Sequence, residues 1–204
     1  MSIDPGLVAL AFGAIFLVEF PDKTFIATLV LATRYRPLLV WIGVVAAFAV
    51  QTVVATTAGG LLGQLPRTPV EIAVVVLFTA GGLILLRGAR TADAEGQEAE
   101  EEYAAKAVKP AHGLRAVTTS FGILFLAEWG DLSQILTASL VAKHNAPLSI
   151  GLGAFLALAT VSGLGALLGR SLLRRMRLGT LQRLGGSVCL VLAFWGIVQL
   201  ARGV

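Results

Sequence analysis

The chain has 204 residues, 56% of them hydrophobic and only 14% charged, with a mean hydropathy of +0.84. A soluble domain carries about a quarter charged residues, so an ordinary water-soluble fold is excluded. The net charge of +4 comes from residues in the loops between apolar segments. No basic patch interleaves with aromatics, and no nucleic-acid partner is expected.

Six apolar stretches follow one another, over roughly residues 6–33, 37–63, 70–87, 114–142, 147–169 and 181–201. Each is close to the roughly 20 residues needed to cross a bilayer, and none alternates with period two, so helix is the reading. The N-terminal MSIDPG lacks the basic region of a signal peptide, so the first stretch is expected to be retained as a span. Pro37 and Pro147 mark corresponding turns after the first and fourth stretches. Gly59-Gly60, Gly81-Gly82, Gly163/Gly165 and Gly185-Gly186 are expected to let helices approach closely. Cys189, the single cysteine, can form no intrachain disulfide and has no partner for a Cys-based metal site. It reads as a small buried apolar side chain.

The first stretch is repeated in the fourth. Phe12 to Leu31 (FGAIFLVEFPDKTFIATLVL) aligns with Phe121 to Leu140 (FGILFLAEWGDLSQILTASL), 109 residues later, with nine of twenty positions identical. Residues 1–87 and 114–204 are therefore expected to be two three-helix repeats, joined by an acidic linker over 88–113. Three spans is an odd number, so the second repeat must enter the membrane from the opposite side, giving an all-α polytopic membrane protein with an inverted repeat. Twelve Lys and Arg fall on one side of this layout and three on the other, with Lys23 inside a span. The positive-inside rule then puts the linker in the cytoplasm and both termini outside it, in a cell inner membrane. The linker reads as a solvated, mobile connector or, in the functional reading, a weak cation-attracting or regulatory segment. Oligomeric state leaves no mark in the sequence.

Each repeat holds a Glu and an Asp three residues apart near mid-span: Glu19 and Asp22, Glu128 and Asp131. An ionised carboxylate at that depth costs at least about 2.5–3.5 kcal/mol, so a cation, protons or Lys23 must offset the charge. Residues three apart on a helix share a face, which aims each pair at one place. A breaker lies inside each pair, Pro21 in one copy and Gly130 in the other, and discontinuous helices supply ligands near the midplane of transporters. Thr24 matches Ser133, Thr28 matches Thr137, Gln134 adds an amide in the second copy, and Gln51 is a polar residue deep in the second stretch. For the hydroxyls and Gln51, helix–helix hydrogen bonding is as good a reading as ligation. His112 and His144 both read as loop residues. The donors are thus all oxygen, which suits Mn²⁺, Ca²⁺ or Mg²⁺ better than Zn²⁺ or Cu. Carboxylates in apolar surroundings also hold protons, so competition between metal and protons gives a simple route to exchange.

The motifs Glu19-Phe-Pro-Asp22-Lys23-Thr24 and Glu128-Trp-Gly-Asp131-Leu132-Ser133 resemble the paired Glu–apolar–Gly–Asp–Lys/Arg–Thr/Ser signature of the Gdt-type cation/proton exchangers. That family includes Golgi and chloroplast manganese/calcium transporters and bacterial manganese exporters. The resemblance implies export of Mn²⁺ or Ca²⁺ against protons, as substrates rather than cofactors, with Glu19, Asp22, Glu128 and Asp131 as the ion-binding carboxylates. Thr24, Ser133 and Gln134 are the next candidate ligands, and Lys23 the balancing charge. Pro21 departs from the usual glycine and Leu132 from the usual basic residue. Four acids against one base leave −3 when all are ionised; a divalent ion leaves −1, which one retained proton neutralises.

Other classes fit less well. An exporter of a small cationic organic solute or amino acid, or a passive cation channel, would use the same acids. Intramembrane aspartyl proteases need Gly-x-Gly-Asp and Tyr-Asp motifs; Asp22 and Asp131 lie in neither, so no enzyme is expected. A purely structural bundle leaves four mid-span carboxylates unexplained.

Overall fold

The structure is a computed structural model that describes residues 3–20, 23–106, 113–173 and 178–202. Among these it is all-helical, with α1 (Pro5–Glu19), α2 (Lys23–Arg34), α3 (Pro37–Leu62), α4 (Arg67–Gly88), α5 (Ala92–Lys106), α6 (Leu114–Ala127), α7 (Leu132–His144), α8 (Pro147–Leu173) and α9 (Leu178–Arg202).

Local signals set the boundaries. Asp4 caps α1 by accepting from the N–H groups of Gly6 (2.8 Å) and Leu7 (3.3 Å), with Pro5 at the first position, where a missing N–H costs nothing. Pro37 and Pro147 likewise open α3 and α8. Asn145 ends α7 in the left-handed region (φ 50).

The distribution of polarity is that of a membrane protein. Val53, Val76, Ile84, Leu167 and Phe194 face outward, while Glu19, Thr24, Gln51, Glu128 and Ser133 are buried. A hydrocarbon surrounding reverses the usual preference, because it solvates apolar surface and leaves polar groups to find one another inside. Three helical segments are long and apolar enough to cross a bilayer alone, Pro37–Leu62, Glu71–Gly88 and Pro147–Leu167. The first expected span is instead two helices, α1 and α2, bent by 71°, and these cross together if counted as one. The fourth is α6 and α7, of 14 and 13 residues; at about 1.5 Å per residue neither half spans the hydrocarbon alone.

The halves interlock. α3 packs on α6, α7 and α8; α8 packs on α1, α2 and α3; α4 lies along α9. A Cβ on Gly43 of α3 would run into the Val117 carbonyl of α6, and one on Gly153 of α8 into the Val8 carbonyl of α1. Val8 and Val117 are equivalent positions of the repeat, so the same crossing is made twice. α4 and α9 meet reciprocally: a Cβ on Gly82 would lie 3.0 Å from the Gly186 carbonyl, and one on Gly186 2.9 Å from the Gly82 carbonyl. Of the glycine patches marked in the sequence, Gly59, Gly82, Gly165, Gly185 and Gly186 sit against neighbouring backbone, Gly81 and Gly163 meet side chains, and Gly60 faces open space.

The expectation of a loose, solvated connector is overturned over Ala92–Lys106. This stretch is a helix whose Ala92, Gly96, Ala99 and Tyr103 are buried, at the i, i+4, i+7, i+11 spacing of one face. It packs on α2 and α9. Its outer face carries the Lys106–Glu102 ion pair (2.6 Å), with the Lys106 ammonium 5.2 Å from the Tyr103 ring centroid.

Gly43→Ala should lower stability by about 1–3 kcal/mol, since the backbone of α6 must move to admit the methyl. Gly60→Ala, with nothing within 4 Å of the added carbon, should be neutral or stabilising. Thermal unfolding in detergent separates the two.

Candidate ion-binding site

The site forms where helices stop. α1 ends at Glu19, and α6 ends at Ala127 with Glu128 as its cap, the Glu128 N–H donating to the Leu124 carbonyl at 3.0 Å. Gly130 then takes φ +79, a left-handed turn that costs an L-residue about 1–2 kcal/mol. Asp131 caps α7, its carboxylate accepting from the Ser133 N–H at 3.3 Å. The shared face expected from i, i+3 spacing is therefore not what joins Glu128 to Asp131. They lie on opposite sides of a chain break, and the turn at Gly130 is what folds one toward the other.

Glu19, Glu128 and Asp131 each present a carboxylate oxygen, all within 4.8 Å of one another. Glu19 is 0% exposed and Glu128 5%. Two unit negative charges at that separation repel by roughly 3.5 kcal/mol even at an effective dielectric of about 20. Three carboxylates gathered this closely favour a cation bound among them. The helix dipoles add to the demand, because Glu19 and Glu128 stand at C-terminal, partially negative helix ends; only Asp131 has the favourable N-terminal position.

Pro21 and Asp22 lie outside the described residues, as does the Lys23 side chain. Thr24, the first-copy hydroxyl, is fully buried, and its Oγ1 has no hydrogen-bond partner among the described residues. Its counterpart Ser133 is also buried. Thr28 and Thr137 each donate to the carbonyl one turn back, Thr28 to Thr24 (2.8 Å) and Thr137 to Ser133 (2.7 Å); these are bonds within a helix, not between helices. Gln51 does bond across helices, its Nε2 donating to the Phe125 carbonyl of α6 at 3.1 Å. The Gln134 amide straddles the second break: its Oε1 accepts from the Gly130 N–H (3.2 Å) and its Nε2 donates to the Glu128 carbonyl (3.0 Å). Leu132, where a basic residue is usual, packs its side chain against Gly81 of α4.

Aromatic ladders lead to both breaks. Phe12, Phe16 and Phe20 stack with ring centroids 5.7 and 5.2 Å apart; Phe121 and Phe125 stack at 5.4 Å, and Trp129 meets Phe125 tilted by 58° at 5.0 Å. The signal was present in the sequence as aromatics at i, i+4, i+8 in both copies.

A cavity of about 380 Å³ lies between α1, α4, α7 and α9 and does not reach the carboxylates; Glu71, Lys143 and His144 are the charged and titratable groups lining its mostly apolar wall. His144 closes α7 rather than sitting in a loop. Burial, and secondarily the Lys143 ammonium, hold its pKa below the ordinary 6.5.

Buried acids gathered at helix breaks inside an apolar helical bundle define a multi-pass membrane protein that handles cations. The chain belongs to the divalent cation/proton antiporters: the family described as "Divalent cation/proton antiporter GDT1" matches residues 7–93 and 116–203, both halves of the molecule. Among relatives, the GDT1-like protein sll0615 of Synechocystis is 33% identical over 176 residues, covering 82% of this chain and 85% of its own. GDT1-like protein 3 of Oryza sativa subsp. indica is 30% identical over 206 residues (93% and 74%), and the chloroplastic PAM71-homolog of Arabidopsis thaliana 29% over 211 residues (92% and 58%). No solved structure matches the chain. The family is one of transporters, not enzymes, and the ions it moves are substrates rather than cofactors.

A histidine whose folded pKa is lowered stabilises the fold above its unfolded pKa, near 6.5, and that contribution is lost as pH falls through the folded value. Between about pH 7.5 and pH 5 the thermal midpoint of the wild type should fall further than that of His144→Gln.

Proposed function

We propose that the chain exports divalent cations, Mn²⁺ foremost and Ca²⁺ second, in exchange for protons at one site shared by the two repeats. The observation that carries this is the convergence of Glu19 from the first motif with Glu128 and Asp131 from the second, within 4.8 Å. Asp22 is the fourth carboxylate by the symmetry of the repeat, and the buried Oγ1 of Thr24, which has no partner among the described residues, together with Ser133 supplies neutral oxygen. An all-oxygen set of this kind favours Mn²⁺ and Ca²⁺ over softer metals. Metal and protons compete for the same acids: the cation relieves the repulsion when it binds, and protons relieve it when the cation leaves. That shared requirement couples the two flows.

The transport frame is a six-span inverted repeat, residues 1–87 and 114–204, with α1–α2 and α6–α7 as broken spans. Packing supports it. The Asp4 N–H donates to Ser149 Oγ at 3.0 Å, so α1 and α8 start at one end of the bundle. The Gly43–Val117 approach brings the starts of α3 and α6 together at the other. This is the arrangement expected of a second half that begins at the end opposite the first. With the basic loops inside, both termini lie outside the cytoplasm of a cell inner membrane.

In proteoliposomes with a pH dye inside, Mn²⁺ added to one face should drive proton movement, and Ca²⁺ should do so less strongly. Glu128→Gln should reduce that flux at least tenfold, the scale of losing one charged, buried ligand. Folded wild-type protein that moves no protons with any divalent cation would overturn the proposal.

A further inference from the structure

Of the two breaks, the second is held by side-chain amides. There, Gln134 closes the turn from within: its Oε1 accepts from the Gly130 N–H and its Nε2 donates to the Glu128 carbonyl, so a single side chain spans the residues between the two acids. Gln51 reaches from α3 to the Phe125 carbonyl, an acceptor in the last turn of α6, where helices leave carbonyls unmatched. Both amides donate to carbonyls at the break, Gln51 to Phe125 and Gln134 to Glu128, which also accepts from the Asp131 N–H at 3.3 Å. Both bonds are partly buried, and a carbonyl left unmet away from water costs about 1–3 kcal/mol.

Neither amide has a counterpart in the other half. Phe25 stands where Gln134 does in the aligned motifs. In the register that pairs Pro37 with Pro147 and Gly43 with Gly153, Val161 stands where Gln51 does. Both are buried hydrocarbon and can make neither bond.

We propose that Gln134 and Gln51 are positioning residues that clamp the second break, so that Glu128 and Asp131 form the preset part of the ion site. This assigns Gln134 to the backbone of the break rather than to the ion. It rests on the carboxylate site proposed above only for its effect on transport; the clamp itself acts without metal. A preset pair lowers the ordering needed when a cation arrives, so loosening it should weaken binding more than it changes turnover.

The test uses Gln134→Met and Gln51→Met, near-isosteric changes that remove the hydrogen bonds. Hydrogen exchange by mass spectrometry on metal-free protein in detergent reads the amides of residues 128–131. Both variants should speed exchange there at least tenfold while exchange in α3 and α8 stays as in wild type. In proteoliposomes the Mn²⁺ half-saturation of Gln134→Met should rise about tenfold, with a smaller change in maximal rate. The double variant should cost little more than the worse single one, because both act on one turn. Unchanged metal-free exchange at 128–131 in Gln134→Met would overturn the clamp, as a ligand role would leave that readout still. Exchange rising throughout the protein would also overturn it, by showing a global loss of fold. A wild type without metal-linked flux would sink the transport reading yet leave the exchange result standing.

Discussion

Everything in this molecule answers to the cost of placing carboxylates where water is absent. Glu19 is wholly enclosed and Glu128 nearly so, with Asp131 beside them. Continuous helices could not give these acids what they need, since their backbone dipoles would be used up internally. Ending α1 and α6 in mid-bundle leaves carbonyl oxygens beside the acids, which strengthens the demand for a cation, and starting α7 there gives Asp131 a favourable N-terminus. The breaks cost helix hydrogen bonds and provide a polar interior in exchange.

That interior has to be enclosed by helices in close contact, and the glycines account for how it is. α3 closes over α6 at Gly43 and α8 over α1 at Gly153, each at van der Waals approach to backbone. Each of these helices comes from the half opposite to the helix it covers. Each motif-bearing helix is thus packed by a helix from the other half.

Much of this was legible in the sequence. The apolar stretches and the duplicated motif lead to the bend between α1 and α2 and to the turn at Gly130, while Pro21 and Asp22 lie outside the described residues. What misled was local periodicity: three-residue spacing suggested a common helical face for Glu128 and Asp131, but the turn at Gly130 replaces that face. The acidic linker was misjudged because its charges hid the small buried stripe Ala92, Gly96, Ala99 and Tyr103, whose apolar content is too slight to stand out by composition. Gln134 was visible as a polar residue beside the motif, yet its role depends on which backbone groups the break frees, and no sequence pattern states that. The duplicated Phe12/Phe16 and Phe121/Phe125 spacing, i and i+4 on a helix, carries the stacked rings of both copies.

The docked linker changes what joins the halves. As a free coil, 15 residues could reach roughly 50 Å and would let α4 and α6 drift without consequence. As the helix Ala92–Lys106 the same residues measure about 22 Å, laid against α2 and α9. A tether has thus become a strut. It bears on the helix that follows Glu19 and on the last helix of the chain, so a shift of either is felt by the other through a solid element.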